Sequence, residues 1–207
     1  MFKNLAADML GLSDIGKIID PQDFDKTDID DYIFTEDNEK IIVLIKSKID
    51  EYCFTNLAVM HLDGNIAISK KRTLNRYPYK HYPISNVRLE TAGTVDLDVE
   101  LKFRIGDKEM SIDIDKKQIE KVKDIYKALF SISEKFKEVQ MQLSTLQQTQ
   151  DAVNRMFSIK ELPEQMILNL PDIINETVSQ VDSKYTERRR EIQNFDAGEI
   201  FKRYIEA

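Results

Sequence analysis

The residues best equipped for chemistry crowd into one short stretch. KKRTLNRYPYKHYPI, residues 70–84, carries five lysines and arginines, one histidine and three tyrosines in an otherwise acidic chain. Cations neutralise phosphate, and aromatic rings stack on bases or settle at a lipid interface. A second candidate is Cys53 with His61, a thiol and an imidazole able to serve as nucleophile and base. A third is the aspartate run of DPQDFDKTDIDDYIF, residues 20–34, whose oxygens would suit calcium.

Each candidate weakens when its spacing is read. A calcium loop of the EF-hand kind needs glycine at its sixth position and glutamate at its twelfth, and no frame from Asp20, Asp23 or Asp25 supplies both. Those acids read as helix caps and solvated charge, and no metal is expected. Cys53 lies in an apolar run, where a free cysteine acts as a small buried hydrophobe. Two histidines and one cysteine make no convincing zinc site. Phosphate-loop, dinucleotide, zinc-protease and nucleophile-elbow motifs are all missing, so neither an enzyme nor a cofactor is expected. In the basic stretch, strand alternation puts Arg72, Leu74, Arg76, Pro78 and Lys80 on one face. Thr73, Asn75, Tyr77, Tyr79 and His81 take the other. A stacking groove needs rings and cations together, so nucleic acid is not expected. What remains is a positive stripe, Lys70, Arg72, Arg76 and Lys80, and Pro78 favours an edge strand.

The elements that must carry these residues change period twice. Among 207 residues, 42% are hydrophobic and 32% charged, an ordinary balance for a globular protein. The net charge of -7 is uneven: eleven acids face three bases in residues 1–39, while seventeen bases face thirteen acids in 40–128. MFKNLAADMLGL at the start reads as a short amphipathic helix rather than a signal peptide. One cysteine fits a reducing cytoplasm. A turn and a short helix capped by Thr27 or Asp28 follow. From Lys40 to Asp115 the signals are β: IIVLIKSKI, then EYCFTNLAVMHL as one strand, then a DGN turn into IAISKK. RTLNRYPYKHY and ISNVRLETAG follow. In VDLDVELKFRI, Val95, Leu97, Val99, Leu101, Phe103 and Ile105 alternate with charges, and EMSIDID alternates after GDK. About seven antiparallel strands result.

Beyond Asp115 the period is helical. Val122, Ile125, Leu129, Ile132, Phe136, Val139, Leu143 and Leu146 step by three and four, the register of a coiled-coil seam. After a break near SIKELP, Ile174, Val178, Val181 and Tyr185 form a second stripe, and DAGEIFKRYIEA suggests a last short helix. One heptad helix cannot cover its own seam. It must fold against the second helix or another chain.

CFTNLAVMHLDGNIAISKK, RYPYKHYPISNV and RLETAGTVDLDVELKFRIG together resemble the bacterial pleckstrin-homology family across roughly residues 1–127. The helical tail looks like the oligomerisation extension of its YvbH-like members. The resemblance implies an α+β fold, a seven-stranded antiparallel barrel capped by a helix at 116–130, with self-association that extends to rings. It implies no substrate. Lipid-binding members among eukaryotes use a K-x(n)-[KR]-x-R pattern at the first hairpin. Here LIKSKIDEYCF has Lys46 and Lys48, but Asp50 and Glu51 follow and the motif is incomplete.

The expected organisation is a barrel domain over residues 1–130, including an N-terminal helical segment 1–38, and a helical extension over 131–207. The expected role is a cytoplasmic, non-enzymatic assembly module with itself as partner. An alternative is docking on an anionic membrane through Lys70, Lys71, Arg72, Arg76 and Lys80. Another is capture of a peptide on an exposed barrel edge.

Overall fold

The computed structural model describes residues 13–64, 72–91, 97–156 and 170–205. The amphipathic start at 1–11, the IAISKK strand, and Lys70 and Lys71 fall outside them. Antiparallel strands β1 (Lys17–Ile18), β2 (Ile41–Lys46), β3 (Glu51–Thr55), β4 (Ala58–Asp63) and β5 (Thr73–Pro78) form one sheet in that order. β6 (Ile84–Thr91), β7 (Asp98–Ile105) and β8 (Lys108–Asp115) form a second. Gly16 joins the two sheets by a parallel bridge to Ile114. A Cβ there would lie 2.9 Å from the Asp113 carbonyl oxygen, so only glycine permits this approach. Phe54 of the first sheet meets Phe103 of the second at 5.8 Å between ring centres. Alternation in β7 and β8 works as read, burying Val99, Leu101, Phe103, Ile105, Met110, Ile112 and Ile114. Leu97 is the exception: it precedes β7, is 74% exposed, and its carbonyl accepts from the Lys116 amide.

Two strand readings are corrected by side-chain hydrogen bonds and a turn. EYCFTNLAVMHL is two strands, because Thr55 Oγ1 accepts from the amides of Leu57 (3.1 Å) and Ala58 (2.8 Å) and folds the chain back. RTLNRYPYKHY ends as a strand at Pro78. The Pro78 carbonyl accepts from the amides of His81 (3.0 Å) and Tyr82 (2.9 Å), turning the chain at Tyr79 to Tyr82. Residues 20–37 are three 3-10 turns, Pro21–Lys26, Ile29–Tyr32 and Thr35–Asp37, rather than one short α-helix. Asp28 holds the cap position of the second turn but makes no side-chain cap bond. Ile19 and Ile29 pack with Leu44, Cys53, Met60 and Leu62, so this segment straps one face of the first sheet.

Three helices follow: α1 (Ile119–Met156), α2 (Leu170–Gln193) and α3 (Gly198–Ile205). The chain divides into two compact units, residues 1–134 with 195–207, and residues 135–194. In the first unit, α1 buries Val122, Ile125, Leu129 and Ile132. The last helix, which the sequence reading grouped with the extension, belongs to this unit. The Ala197 amide donates to the Asn56 carbonyl (2.8 Å), and Phe201 is fully buried, its ring 6.4 Å from that of Phe54. In the second unit, Phe136, Val139, Ile174 and Val181 are buried. Gln150 Nε2 reaches Asp182 Oδ1 at 3.5 Å, joining α1 to α2 there.

Candidate functional site

The basic stretch was the first place to look for a ligand, and its arginines are already engaged. Arg76 in β5 donates through Nη2 to Glu39 Oε1 at 2.8 Å, and its guanidinium lies 4.4 Å from the centre of the Phe34 ring. Arg72 pairs with Asp28 and lies 3.5 Å from Glu51 Oε1. Lys80 sits exposed in the turn after β5, so it no longer shares a strand face with Arg72 and Arg76. Lys70 lies outside the described residues. The stripe read from alternation is thus divided: two of its cations hold the strap, and one stands apart.

Beside Asp28, two buried acids engage these arginines: Glu39, read from sequence as a strand flank, and Glu51, read as a residue that interrupts the lipid motif. The Glu39 carboxylate, 0% exposed, also accepts from the Phe34 amide (2.9 Å) and Thr55 Oγ1 (2.6 Å). The Glu51 carboxylate, 1% exposed, accepts from the Ile29 amide at 2.8 Å, from the Asp28 amide, and from Lys46. Buried carboxylates survive only when their oxygens are met this fully. Each joins the strap to the first sheet. Glu39 just ahead of IIVLIK and Glu51 at the start of EYCFT were the only sequence signals.

The first hairpin shows the same economy of charge. Lys46 is consumed by Glu51, leaving Lys48 exposed in the connection. Asp50 in that connection meets His61 Nε2 at 3.4 Å and accepts from the Gly64 amide at 3.3 Å. His61 stacks on Tyr52, with ring centres 4.3 Å apart and planes 3° from parallel. The His61 contact holds the Asp50 carboxyl below its ordinary value of 3.8. Burial pushes the Tyr52 hydroxyl up to about 12. Because the folded Asp50 pKa is the lower one, the unfolded chain binds more protons in the acid range. Its contribution is therefore complete above the ordinary carboxylate range and is lost as pH falls through the folded value. Thermal melts of Asp50→Asn against the parent should differ at neutral pH and converge in acid.

Cys53 does not face His61 in any productive sense. The thiol is buried beneath the strap, and burial moves its pKa far above the ordinary value, leaving no thiolate for attack. Among the described residues no group of three histidine, cysteine or acidic side chains is placed to hold a metal ion.

The eight seam positions have separate fates. Val122, Ile125, Leu129 and Ile132 are buried in the first unit, and Phe136 and Val139 in the second. Leu143 and Leu146 are half-buried. Beside them, Met141 is 64% exposed and Ile173 on α2 is 59% exposed.

Two antiparallel sheets with a helix laid on them agree with the fold of known proteins. The family model for the bacterial PH domain matches residues 9–133. The chain belongs to the bacterial PH-domain family. An uncharacterised relative from Bacillus subtilis strain 168, YvbH, is 68% identical over 134 residues, which is 65% of this chain and 66% of the relative. A crystal structure of a PH-domain protein from Exiguobacterium sibiricum 255-15 superposes with a TM-score of 0.75 at 47% identity. It covers 93% of this chain and all of that one. A DUF1696 protein with a pleckstrin-homology domain, from Shewanella loihica PV-4, is 25% identical with a TM-score of 0.45. It covers 57% of this chain and 97% of that protein. The PH-domain fold thus extends to a relative that also spans the helical region. No helix among the described residues is long and apolar enough to cross a membrane.

Proposed function

We propose that this bacterial PH-domain protein is a non-enzymatic assembly module, in which the helices of the second unit join copies of the chain. One observation carries the reading. Among its described residues the second unit buries only four apolar side chains, Phe136, Val139, Ile174 and Val181. Meanwhile Met141 and Ile173 stand in solvent, and Leu143 and Leu146 are half-covered. Long helices draw their stability chiefly from packing an apolar face, and this hairpin leaves part of that face without cover. A second hairpin would supply it.

The described residues of the barrel offer little competing chemistry. Its thiol is buried, His61 is stacked on Tyr52, and Arg72 and Arg76 are engaged with acids, which argues against an anionic membrane as the partner of that strand. Light scattering over a range of concentrations tests assembly directly: a clean monomer at micromolar concentration would sink the proposal. Leu143→Glu combined with Leu146→Glu should lower the oligomeric mass while thermal unfolding of the barrel unit stays near that of the parent. An unchanged mass with unchanged helicity would remove these two leucines from the interface.

A further inference from the structure

The first sheet is apolar on both faces. Phe54 lies opposite Val43 and Val59, and this set faces the interior, where Phe54 meets Phe103. Cys53 lies opposite Leu44 and Met60, and these three, with Leu62, face the other way and lie under the strap. The backbone pins the strap only at its ends. There the Ile19 amide donates to the Leu44 carbonyl (2.8 Å), and the Lys40 carbonyl accepts from the Asn56 amide (3.2 Å). Between those ends, among the described residues, its backbone bonds only within itself and to the carboxylates of Glu39 and Glu51. The first and third turns bury no residue, and the second buries only Ile29. Phe24 and Ile33 add partial cover. Two arginines of the β5 side complete the hold, Arg72 on Asp28 and Arg76 over the Phe34 ring.

We infer that the strap is a lid that opens as a unit while the barrel stays closed, with the arginine–acid contacts as its latch. Short 3-10 turns that bury few side chains belong to the low end of local stability. Lifting them bares Leu44, Cys53, Met60 and Leu62 as one apolar surface. The interior loses nothing by it, because Phe54, Val59 and the buried set of β7 and β8 lie on the far side of the sheet. Access to the covered face is therefore set by the latch and by Ile29, and not by the stability of the barrel.

Cys53 is the single cysteine of the chain and lies beneath the strap, so its alkylation reports the opening. Iodoacetamide is applied to the full native chain, labelling is followed by mass, and the strap recloses faster than the reagent reacts. The rate should rise with urea far less steeply than global unfolding does, because a lid exposes little surface. Ile29→Ala should speed labelling roughly thirtyfold or more. Arg72→Gln changes only an exposed member of the latch and should speed it roughly threefold. Ile112→Val weakens contacts of the second sheet that the open form keeps, so its rate should stay within about twofold of the parent. A urea slope equal to that of global unfolding, or a clear acceleration by Ile112→Val, would show that Cys53 is reached only through the unfolded chain and would overturn the lid. Rates unmoved by both strap variants would overturn it too. Should Ile29→Ala fail to fold, Arg72→Gln against Ile112→Val makes the same comparison.

Discussion

Glu51→Ala is expected to destabilise the barrel unit by about 3–5 kcal/mol, the range for removing one partner of a buried ion pair. The carboxylate is 1% exposed, and everything it meets has no ready substitute. Its loss leaves Lys46 buried beside β3 with its countercharge gone. It also strips acceptors from the Asp28 and Ile29 amides, which start the second 3-10 turn of the strap. Arg72 keeps Asp28. Urea titration followed by tyrosine fluorescence and circular dichroism gives the figure. Glu51→Gln should fall between, because an amide oxygen still accepts from the strap while the charge on Lys46 stays unmet. A loss below about 1 kcal/mol for Glu51→Ala would mean that the strap holds without this anchor.

Phe201→Ala has a comparable expected cost, about 3–5 kcal/mol, as for other buried phenylalanines cut back to a methyl group. Phe201 is fully buried, and its ring sits edge-on to Phe54. Around it α3 is fixed by polar contacts: Asn56 Nδ2 donates to Asp196 Oδ2 at 2.7 Å, and Asp196 Oδ1 accepts from the Gly198 amide at 2.7 Å. Phe195 packs edge-on to the buried ring of Tyr79. The neighbouring Lys202 is exposed, and Lys202→Ala should move stability by less than about 0.5 kcal/mol. The informative comparison is the unfolding of the barrel unit. If Phe201→Ala changes only the helical signal of the tail, α3 is an ornament on a core complete without it.

What the sequence made legible were patterns with a local period. Alternation located β7 and β8 to within a few residues and chose the buried set from Val99 to Ile114, because a half-covered strand states its inner face every second residue. The three-four spacing from Val122 marked α1 for the same reason. The phrases around the DGN turn and RYPY pointed to the bacterial PH family, which the family match bears out. Pairings between distant residues stayed hidden. Nothing near Thr55 announces that its hydroxyl will end β3. Nothing near Glu39 says that Arg76, thirty-seven residues on, will meet it. The basic stretch looked available because opposite charges in the strap were counted as solvated, when the fold brings them onto the first sheet. DAGEIFKRYIEA was legible as a helix, but a short amphipathic helix does not name the core it completes.

The placement of α3 bears on the order in which this protein can be made. Asn56 and Asp196, which touch in the barrel unit, are 140 residues apart in the chain. During synthesis the strands from β1 to β8 emerge long before the helix that closes over Phe54. The contact that closes this unit is among the most non-local in the chain, so the core around Phe54 is complete only once α3 has emerged. A ribosome stalled anywhere before Phe195 therefore holds a barrel that lacks its seal. Completion of the first unit therefore requires translation to have passed Phe201.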